Sequence, residues 1–280
     1  MALALLTAGL TFLAFRTTTA PPDPGVPAPG PVTQTASGGG SETPDDSLSP
    51  TSAPGPPDPT GQAGQTGGGI ATAREVLDRD EPVVVAALGD STGNETWEWV
   101  YGWARLLAQV RPVTVLSWNE WTEEGYIEPR VLSQAGGEVG GEVVIYSGHQ
   151  SGAQVDYVVE HLEELLPQVP DLVVLNFGHN NSVADVGPQL EETLAALRTV
   201  VDEDVPVVLT LQQPQQDDAN ADVRALVRAF AQEKGLGVID VAAAFEETGD
   251  PEQLLADEVH PDADGAALWA ETVARTLDAP

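Results

Sequence analysis

The sequence predicts an α/β domain in which helices cover both faces of a parallel sheet. From residue 83 onwards, short runs rich in β-branched residues alternate with amphipathic segments that have a helical period. Runs that are apolar at both alternating positions are typical of strands buried on both faces of a parallel sheet. The alternation of strand and helix therefore predicts a doubly wound fold with right-handed crossovers.

The N-terminal 20 residues are predicted to be a signal peptide or a membrane anchor. Residues 2–15 are apolar and uncharged, and "TTTA" at 17–20 supplies small residues for a cleavage site. At about 1.5 Å per residue, this run is too short for a hydrocarbon core of about 30 Å. No Lys or Arg precedes the run, which weakens the signal-peptide interpretation. A buried N-terminal helix is the alternative, and it is disfavoured because nothing with a folding pattern follows directly.

Residues 21–72 are predicted to be a disordered linker, and residues 73–280 the folded domain. The linker is dominated by Pro, Gly, Ser and Thr and has almost no large apolar side chains to offset the entropy of ordering. An apolar leader, a tether and a domain predict an extracytoplasmic protein, secreted or membrane-tethered. The absence of cysteine neither supports nor opposes export.

Six segments of the domain are predicted strands, and three segments between them are predicted helices. The strands are 83–88, 113–118, 143–146, 172–177, 205–211 and 238–241. A helix over 153–166 is predicted from an apolar face that includes Val155, Val158 and Leu162. The other two predicted helices carry apolar faces over 190–201 and 223–230, and Gly235 is a natural stop for the second.

The charge of the chain limits its partners. The formal net charge is −33, and 36 of the 44 acidic residues lie in residues 81–280. Such a surface repels phosphate backbones and anionic lipid, so no nucleic-acid partner is expected. Contact with a membrane is expected only through the N-terminal segment, and the domain is expected to be a monomer.

Polar residues follow the predicted strands where a doubly wound sheet binds its ligands, beyond the carboxyl ends of the strands. Three of these stretches, "GDS" (89–91), "SGHQSGAQ" (147–154) and "GHNN" (178–181), come directly after strands. The fourth, "DEVHPDADG" (257–265), comes after the last strand and a short helix. Acyl transfer by a serine needs a base, an acid that orients the base, and donors for an oxyanion. Asp257 and His260 are close enough in sequence to pair in one loop. Ser91 is so distant from them in sequence that spacing does not reveal whether it pairs with His260. From the residues alone the domain is a candidate hydrolase, with a turn or cap hydroxyl for Ser91 as the alternative.

These four stretches, in this order, resemble the four blocks of the SGNH (GDSL-type) hydrolase family over roughly residues 82–278. The resemblance implies a flavodoxin-like three-layer α/β/α sandwich with a central parallel sheet. It implies that Ser91 is the nucleophile, His260 the base and Asp257 its orienting acid. It also implies that Gly152 and Asn180 are oxyanion donors beside the Ser91 N–H. The implied activity is hydrolysis of a short acyl ester, such as acetyl on a glycan, without metal or organic cofactor.

The sequence departs from the family pattern at three places. Thr92 occupies the fourth position of the GDSL motif, where the family typically has leucine. The combination of "GDST" with "FGHN" is more similar to the branch that includes carbohydrate acetylesterases. In the second block Gly148 competes with Gly152, and Gly152 is preferred because it is expected to open a helix with a free N–H. In the third block Asn180 is preferred to Asn181.

The same residues are also compatible with other roles. The site could transfer its acyl group to a sugar hydroxyl, or the domain could be a tethered, non-catalytic glycan-binding module. A metallophosphoesterase would need more His and Asp ligands than these strand ends supply. Asp90 is expected to support the turn. Five tryptophans within 25 residues could stack on sugar rings; packing is favoured for Trp103, and Trp97, Trp118 and Trp121 are left open.

Overall fold

The structure is a computed structural model that describes residues 66–132 and 140–277. The predicted signal peptide or anchor at 1–20, and the predicted linker as far as residue 65, lie outside the described residues. Among the helices that the structure describes, none combines the length and apolarity needed to cross a membrane.

A mostly parallel sheet forms the centre of the described domain. Its strands are β1 (Val83–Gly89), β2 (Val113–Ser117), β3 (Arg130–Val131), β4 (Val143–His149), β5 (Leu172–Asn176), β6 (Val207–Leu211) and β7 (Gly237–Asp240). They lie in the order β3-β2-β4-β1-β5-β6-β7, and the short β3 is the antiparallel member. The six predicted strands and the predicted fold class are confirmed.

Helices cover the two faces of this sheet. They are α1 (Thr66–Leu77), α2 (Trp99–Leu107), α3 (Tyr157–Glu160), α4 (Leu162–Leu165), α5 (Val186–Leu197), α6 (Ala221–Lys234), α7 (Val241–Glu246) and α8 (Ala263–Leu277). Side chains alternate across a strand, so successive residues of β1 enter different cores. Val85 and Ala87 pack with α1, α2, α7 and α8, whereas Ala86 and Leu88 pack with α3 to α6. The described domain is therefore a three-layer α/β/α sandwich.

The predicted helix over 153–166 is two short helices rather than one. The break lies at His161, whose backbone has φ −121° and ψ 25°. The His161 ring packs on Tyr157, with ring centroids 4.3 Å apart. On either side of the break, Val158 and Leu165 are both fully buried. Of the predicted apolar face, Val155 and Val158 are buried, whereas Leu162 is only half-buried. The apolar periodicity carried no signal for the break.

The first helix begins before the predicted domain boundary at residue 73. Helix α1 starts at Thr66, and a Cβ on Gly69 would overlap the backbone nitrogen of Gly237 at the start of β7. Farther along the helix, Arg74 Nε donates to the carbonyl of Thr276 at 2.8 Å, which ties α1 to α8. Glycines that suggested a linker thus allow two backbones to approach closely, and residues 66–72 are helical.

Candidate active site

Ser91 lies in a turn that a buried carboxylate holds in place. The turn follows β1, and the fully buried Asp90 accepts hydrogen bonds from the Thr92 N–H at 3.1 Å and the Thr92 hydroxyl at 2.8 Å. Gln212 Nε2 donates to the other oxygen of Asp90 at 2.8 Å. Asp90 therefore supports the turn, as expected, and Ser91 remains half-buried with its hydroxyl available.

The structure brings Ser91, His260 and Asp257 into one hydrogen-bonded chain. Ser91 Oγ lies 2.8 Å from His260 Nε2, and His260 Nδ1 lies 2.9 Å from Asp257 Oδ2. The backbone N–H of His260 and that of Val259 donate to Asp257 Oδ1 at 2.7 and 2.8 Å. These bonds lower the pKa of Asp257 to about 2. An ionised carboxylate can only accept, so the imidazole proton lies on Nδ1, and Nε2 is free to accept the Ser91 proton.

The two glycines of the second block have different surroundings. Gly148 lies inside β4, where a Cβ would meet Leu88, Leu165 and the hydroxyl of Tyr126, so it serves packing. Gly152 lies in the turn after β4 with φ +74°, and its N–H has no acceptor among the described residues. It does not open a helix as predicted, because α3 begins five residues later. Its free N–H comes from the turn instead.

The two asparagines of the third block point to different places. Asn180 Nδ2 donates to the carbonyl of Ala153 at 3.0 Å, directly after Gly152, and an amide NH₂ retains a second hydrogen. Asn181 is buried and donates to Gln189 on α5. Asn180 is therefore the side chain attached to the Gly152 turn.

A buried polar network explains why the residue directly after Ser91 is Thr92 and not leucine. The buried Thr92 hydroxyl accepts from Asn176 Nδ2 at 2.9 Å and donates to Asp90. Sequence reasoning missed Asn176 and Gln212, although the same strand-end rule locates them. Asn176 is the last residue of β5, and Gln212 comes directly after β6.

Two histidines near the site are neutral: His149 is buried and His179 is half-buried. Burial lowers the pKa of His149 to about 3, and its ring fills the space beside Gly89 and Gly93, where a Cβ on either glycine would lie within 2.6 Å of it. Burial also lowers the pKa of His179, whose Nε2–H donates to the carbonyl of Gln213 at 3.1 Å. Within the described ranges, no three His, Asp or Glu side chains are grouped to hold a metal ion.

The tryptophans divide into buried and exposed members. Trp103 is fully buried, as predicted, and Trp118 is also buried, with Nε1 donating to the Tyr157 hydroxyl at 3.0 Å. Trp97 is 50% exposed and Trp121 is 96% exposed. Of the three tryptophans left open, only these two are therefore available to a ligand.

A three-layer α/β/α domain with Ser, His and Asp at the carboxyl edge of its sheet defines a class of hydrolases. The sequence model of the GDSL-like lipase/acylhydrolase family matches residues 87–268. The chain belongs to this family, and it is an enzyme that hydrolyses ester bonds. The resemblance read from the four blocks is confirmed.

Solved structures with a similar fold include esterases of low sequence identity. Axe2, an acetylxylan esterase from Geobacillus stearothermophilus, has a TM-score of 0.53 and 18% identity over 73% of this chain and 97% of its own. A variant of Axe2, described as an acetyl-xylooligosaccharide esterase, has a TM-score of 0.52 and 17% identity over 71% and 95%. LAE5, an α/β hydrolase from the metagenome of Lake Arreo, Spain, has a TM-score of 0.50 and 18% identity over 70% and 94%. No curated protein sequence matches the chain.

Proposed function

We propose that this protein is an exported serine esterase that hydrolyses a short-chain acyl ester, such as acetyl on a glycan, through an acyl-enzyme on Ser91. The observation that carries the proposal is the chain of hydrogen bonds from Ser91 Oγ through His260 to Asp257, with distances of 2.8 and 2.9 Å. A hydroxyl, an imidazole and an ionised carboxylate in this order are the groups that activate a serine for acyl transfer.

The proposed reaction has two halves that use the same imidazole. Ser91 Oγ attacks the ester carbonyl while His260 Nε2 takes the hydroxyl proton, and the imidazolium then gives that proton to the departing alcohol. Water attacks the acyl-serine in the second half, His260 takes one proton from it, and Ser91 leaves with that proton. The N–H groups of Ser91 and Gly152 and the free hydrogen on Asn180 Nδ2 are the proposed donors to the oxyanion.

Three observations support the finer parts of this proposal. Axe2, an acetylxylan esterase, has a similar fold. The exposed Trp97 and Trp121 offer aromatic faces of the kind that stack on sugar rings. The apolar run at 2–15, followed by a Pro- and Gly-rich stretch, supports export.

Replacement of the proposed nucleophile tests this function. We expect Ser91→Ala to lower kcat on nitrophenyl acetate by about 10³-fold or more, because the hydroxyl that forms the acyl-enzyme is gone. Ser182→Ala is the matched control, since Ser182 is an exposed serine whose hydroxyl contacts Asp185 rather than the triad. A series of esters of increasing acyl length measures the preferred chain.

Two outcomes would change the proposal. An active Ser91→Ala variant would show that another group is the nucleophile. Product analysis with an added xylooligosaccharide acceptor separates hydrolysis from transfer, because an O-acyltransferase would acetylate the sugar instead of releasing acetate.

A further inference from the structure

A carboxylate outside the catalytic triad joins three loops at the active-site edge of the sheet. Glu120 lies three residues after β2, and both of its oxygens accept hydrogen bonds from Asn94 Nδ2, at 3.1 and 3.0 Å. Glu120 Oε1 also accepts the backbone N–H of Ser151 at 2.6 Å. Asn94 Nδ2 closes the cluster by donating to Ser151 Oγ at 3.0 Å.

The three loops belong to neighbouring strands, and each loop has a relation to the site. Asn94 follows the nucleophile by three residues after β1, and Ser151 directly precedes Gly152 after β4. Strand β4 lies between β2 and β1 in the sheet. Glu120 therefore lies where it can hold the turn after β4 to the turn after β1.

The Gly152 turn is held on both sides of the glycine. On one side Glu120 binds the N–H of Ser151. On the other side Asn180 binds the carbonyl of Ala153. Between these bonds, Gly152 adopts a left-handed backbone with φ +74°, and a Cβ built on it would contact nothing within 4 Å. Packing does not fix this glycine, so hydrogen bonds of its neighbours define its position. Besides the two side-chain bonds, the Ala153 N–H donates to the Gln150 carbonyl at 3.1 Å and the Gln150 N–H donates to the Gly89 carbonyl at 3.0 Å.

We propose that Glu120 is a positioning residue, which sets the Gly152 N–H relative to Ser91 so that both amides can donate to the same oxyanion. This inference rests on the proposed serine esterase function. The negative charge of the Glu120 carboxylate would repel the oxyanion that develops in the reaction, so a direct role as an oxyanion donor is excluded. Its oxygens instead accept hydrogen bonds from the N–H groups of Asn94 and Ser151. A hydrogen bond to an ionised acceptor is short and about twice as strong as a neutral one, so the Glu120 carboxylate can hold both donors rigidly. We call Glu120, Asn94 and Ser151 together the clamp.

The experiment exchanges the two partners of the clamp. In Asn94→Asp, two carboxylates face each other, and in Glu120→Ala the acceptor is lost. We expect each variant to lower kcat on nitrophenyl acetate by about 10- to 100-fold, because a displacement of about 1 Å can cost a factor of this size. KM should change by less than about threefold, since the substrate's ground-state contacts remain.

The double variant Asn94→Asp with Glu120→Gln restores an amide facing a carboxylate with the polarity reversed. The new amide at position 120 would be the donor, and its oxygen could still accept the Ser151 N–H, so we expect kcat within about fivefold of the original enzyme. Glu124→Gln is the charge control, because Glu124 is exposed in the same loop and its carboxylate makes no hydrogen bond among the described residues. The control should retain full kcat.

A second readout separates positioning from general stability. Phenylboronic acid forms a tetrahedral adduct with an active-site serine. Its inhibition constant should therefore increase in Asn94→Asp, where kcat falls, and return towards the original value in the double variant. Equal kcat in all folded variants, or a double variant no better than Asn94→Asp, would overturn the proposal. Ser91→Ala is measured in parallel: if it remains active the esterase function itself fails, whereas if it alone is inactive only the clamp fails.

Discussion

At the scale of single residues, the site depends on which nitrogen of His260 carries a proton. Asp257 is mostly exposed, yet three N–H groups direct its two oxygens and hold it ionised. The pKa of about 2 means that Asp257 keeps its charge throughout the pH range in which a serine esterase works. A loss of activity at acid pH is therefore not expected to come from protonation of Asp257.

Asp257→Asn tests this orienting role. The amide oxygen of asparagine can still accept the backbone N–H groups of Val259 and His260, which preserves the loop. Its NH₂, however, would face His260 Nδ1 and favour the tautomer that carries the proton on Nε2, which cannot accept from Ser91. We expect kcat to fall by about 10²- to 10⁴-fold with little change in KM. Glu258→Gln, an exposed neighbour, should have no such effect; equal losses in both variants would indicate a charge effect only.

At the scale of elements, apolar periodicity predicted what is buried better than where elements begin and end. All six predicted strands are present because β-branched runs buried on both faces leave few alternatives. The break at His161 and the start of α1 escaped prediction because both depend on tertiary contacts. The Asn94, Glu120 and Ser151 cluster escaped for the same reason, since its members are up to 57 residues apart in sequence.

Adjacent glycines in α1 provide a test of how this helix packs. A Cβ on Gly69 would overlap the backbone of Gly237, whereas one on Gly68 would contact nothing within 4 Å. We expect Gly69→Ala to lower the free energy of unfolding by about 1 to 3 kcal/mol through overpacking. Gly68→Ala should be neutral or stabilise by up to about 1 kcal/mol, since alanine favours the helix.

Urea unfolding of the full chain measures both glycine variants, and esterase assays accompany it. Gly237 is the first residue of β7 and lies at the amino ends of the parallel strands, whereas the active site lies at their carboxyl ends. The kcat of folded Gly69→Ala should therefore match that of the original enzyme. Equal stability of the two variants would mean that α1 does not dock on β7 in solution.

At the scale of the whole molecule, the excess of acidic residues reaches the interior. Glu98 is 2% exposed at the start of α2, and its carboxylate accepts the Glu95 N–H at 2.8 Å. Burial, reinforced by the charges of Glu95, Asp90 and Glu120, raises the pKa of Glu98 to about 8. His149 responds to burial in the opposite direction, with its pKa lowered to about 3.

These two groups give the stability of the domain a defined dependence on pH. Glu98 has a higher pKa folded than unfolded, so its contribution is fully present below about 4.5 and is lost as the pH rises through about 8. His149 has a lower pKa folded than unfolded, so its contribution is present above about 6.5 and is lost as the pH falls through about 3. Between about 4.5 and 6.5 the two slopes oppose each other, and only the Glu98 term continues above that window.

Glu98→Gln isolates the Glu98 term. Glutamine keeps an oxygen for the Glu95 N–H and removes the titration, so the stability of the variant relative to the original protein should rise between about pH 5 and about pH 8. The shift in the pKa of Glu98 from 4.5 to about 8 corresponds to a change of about 3 to 5 kcal/mol in the free energy of unfolding. Urea unfolding of both proteins at the two pH values measures the difference, with Glu124→Gln as the control for an exposed charge in the same acidic region. A difference that stays constant with pH would show that Glu98 is ionised in the folded protein at both values, and that its neighbours accommodate the charge.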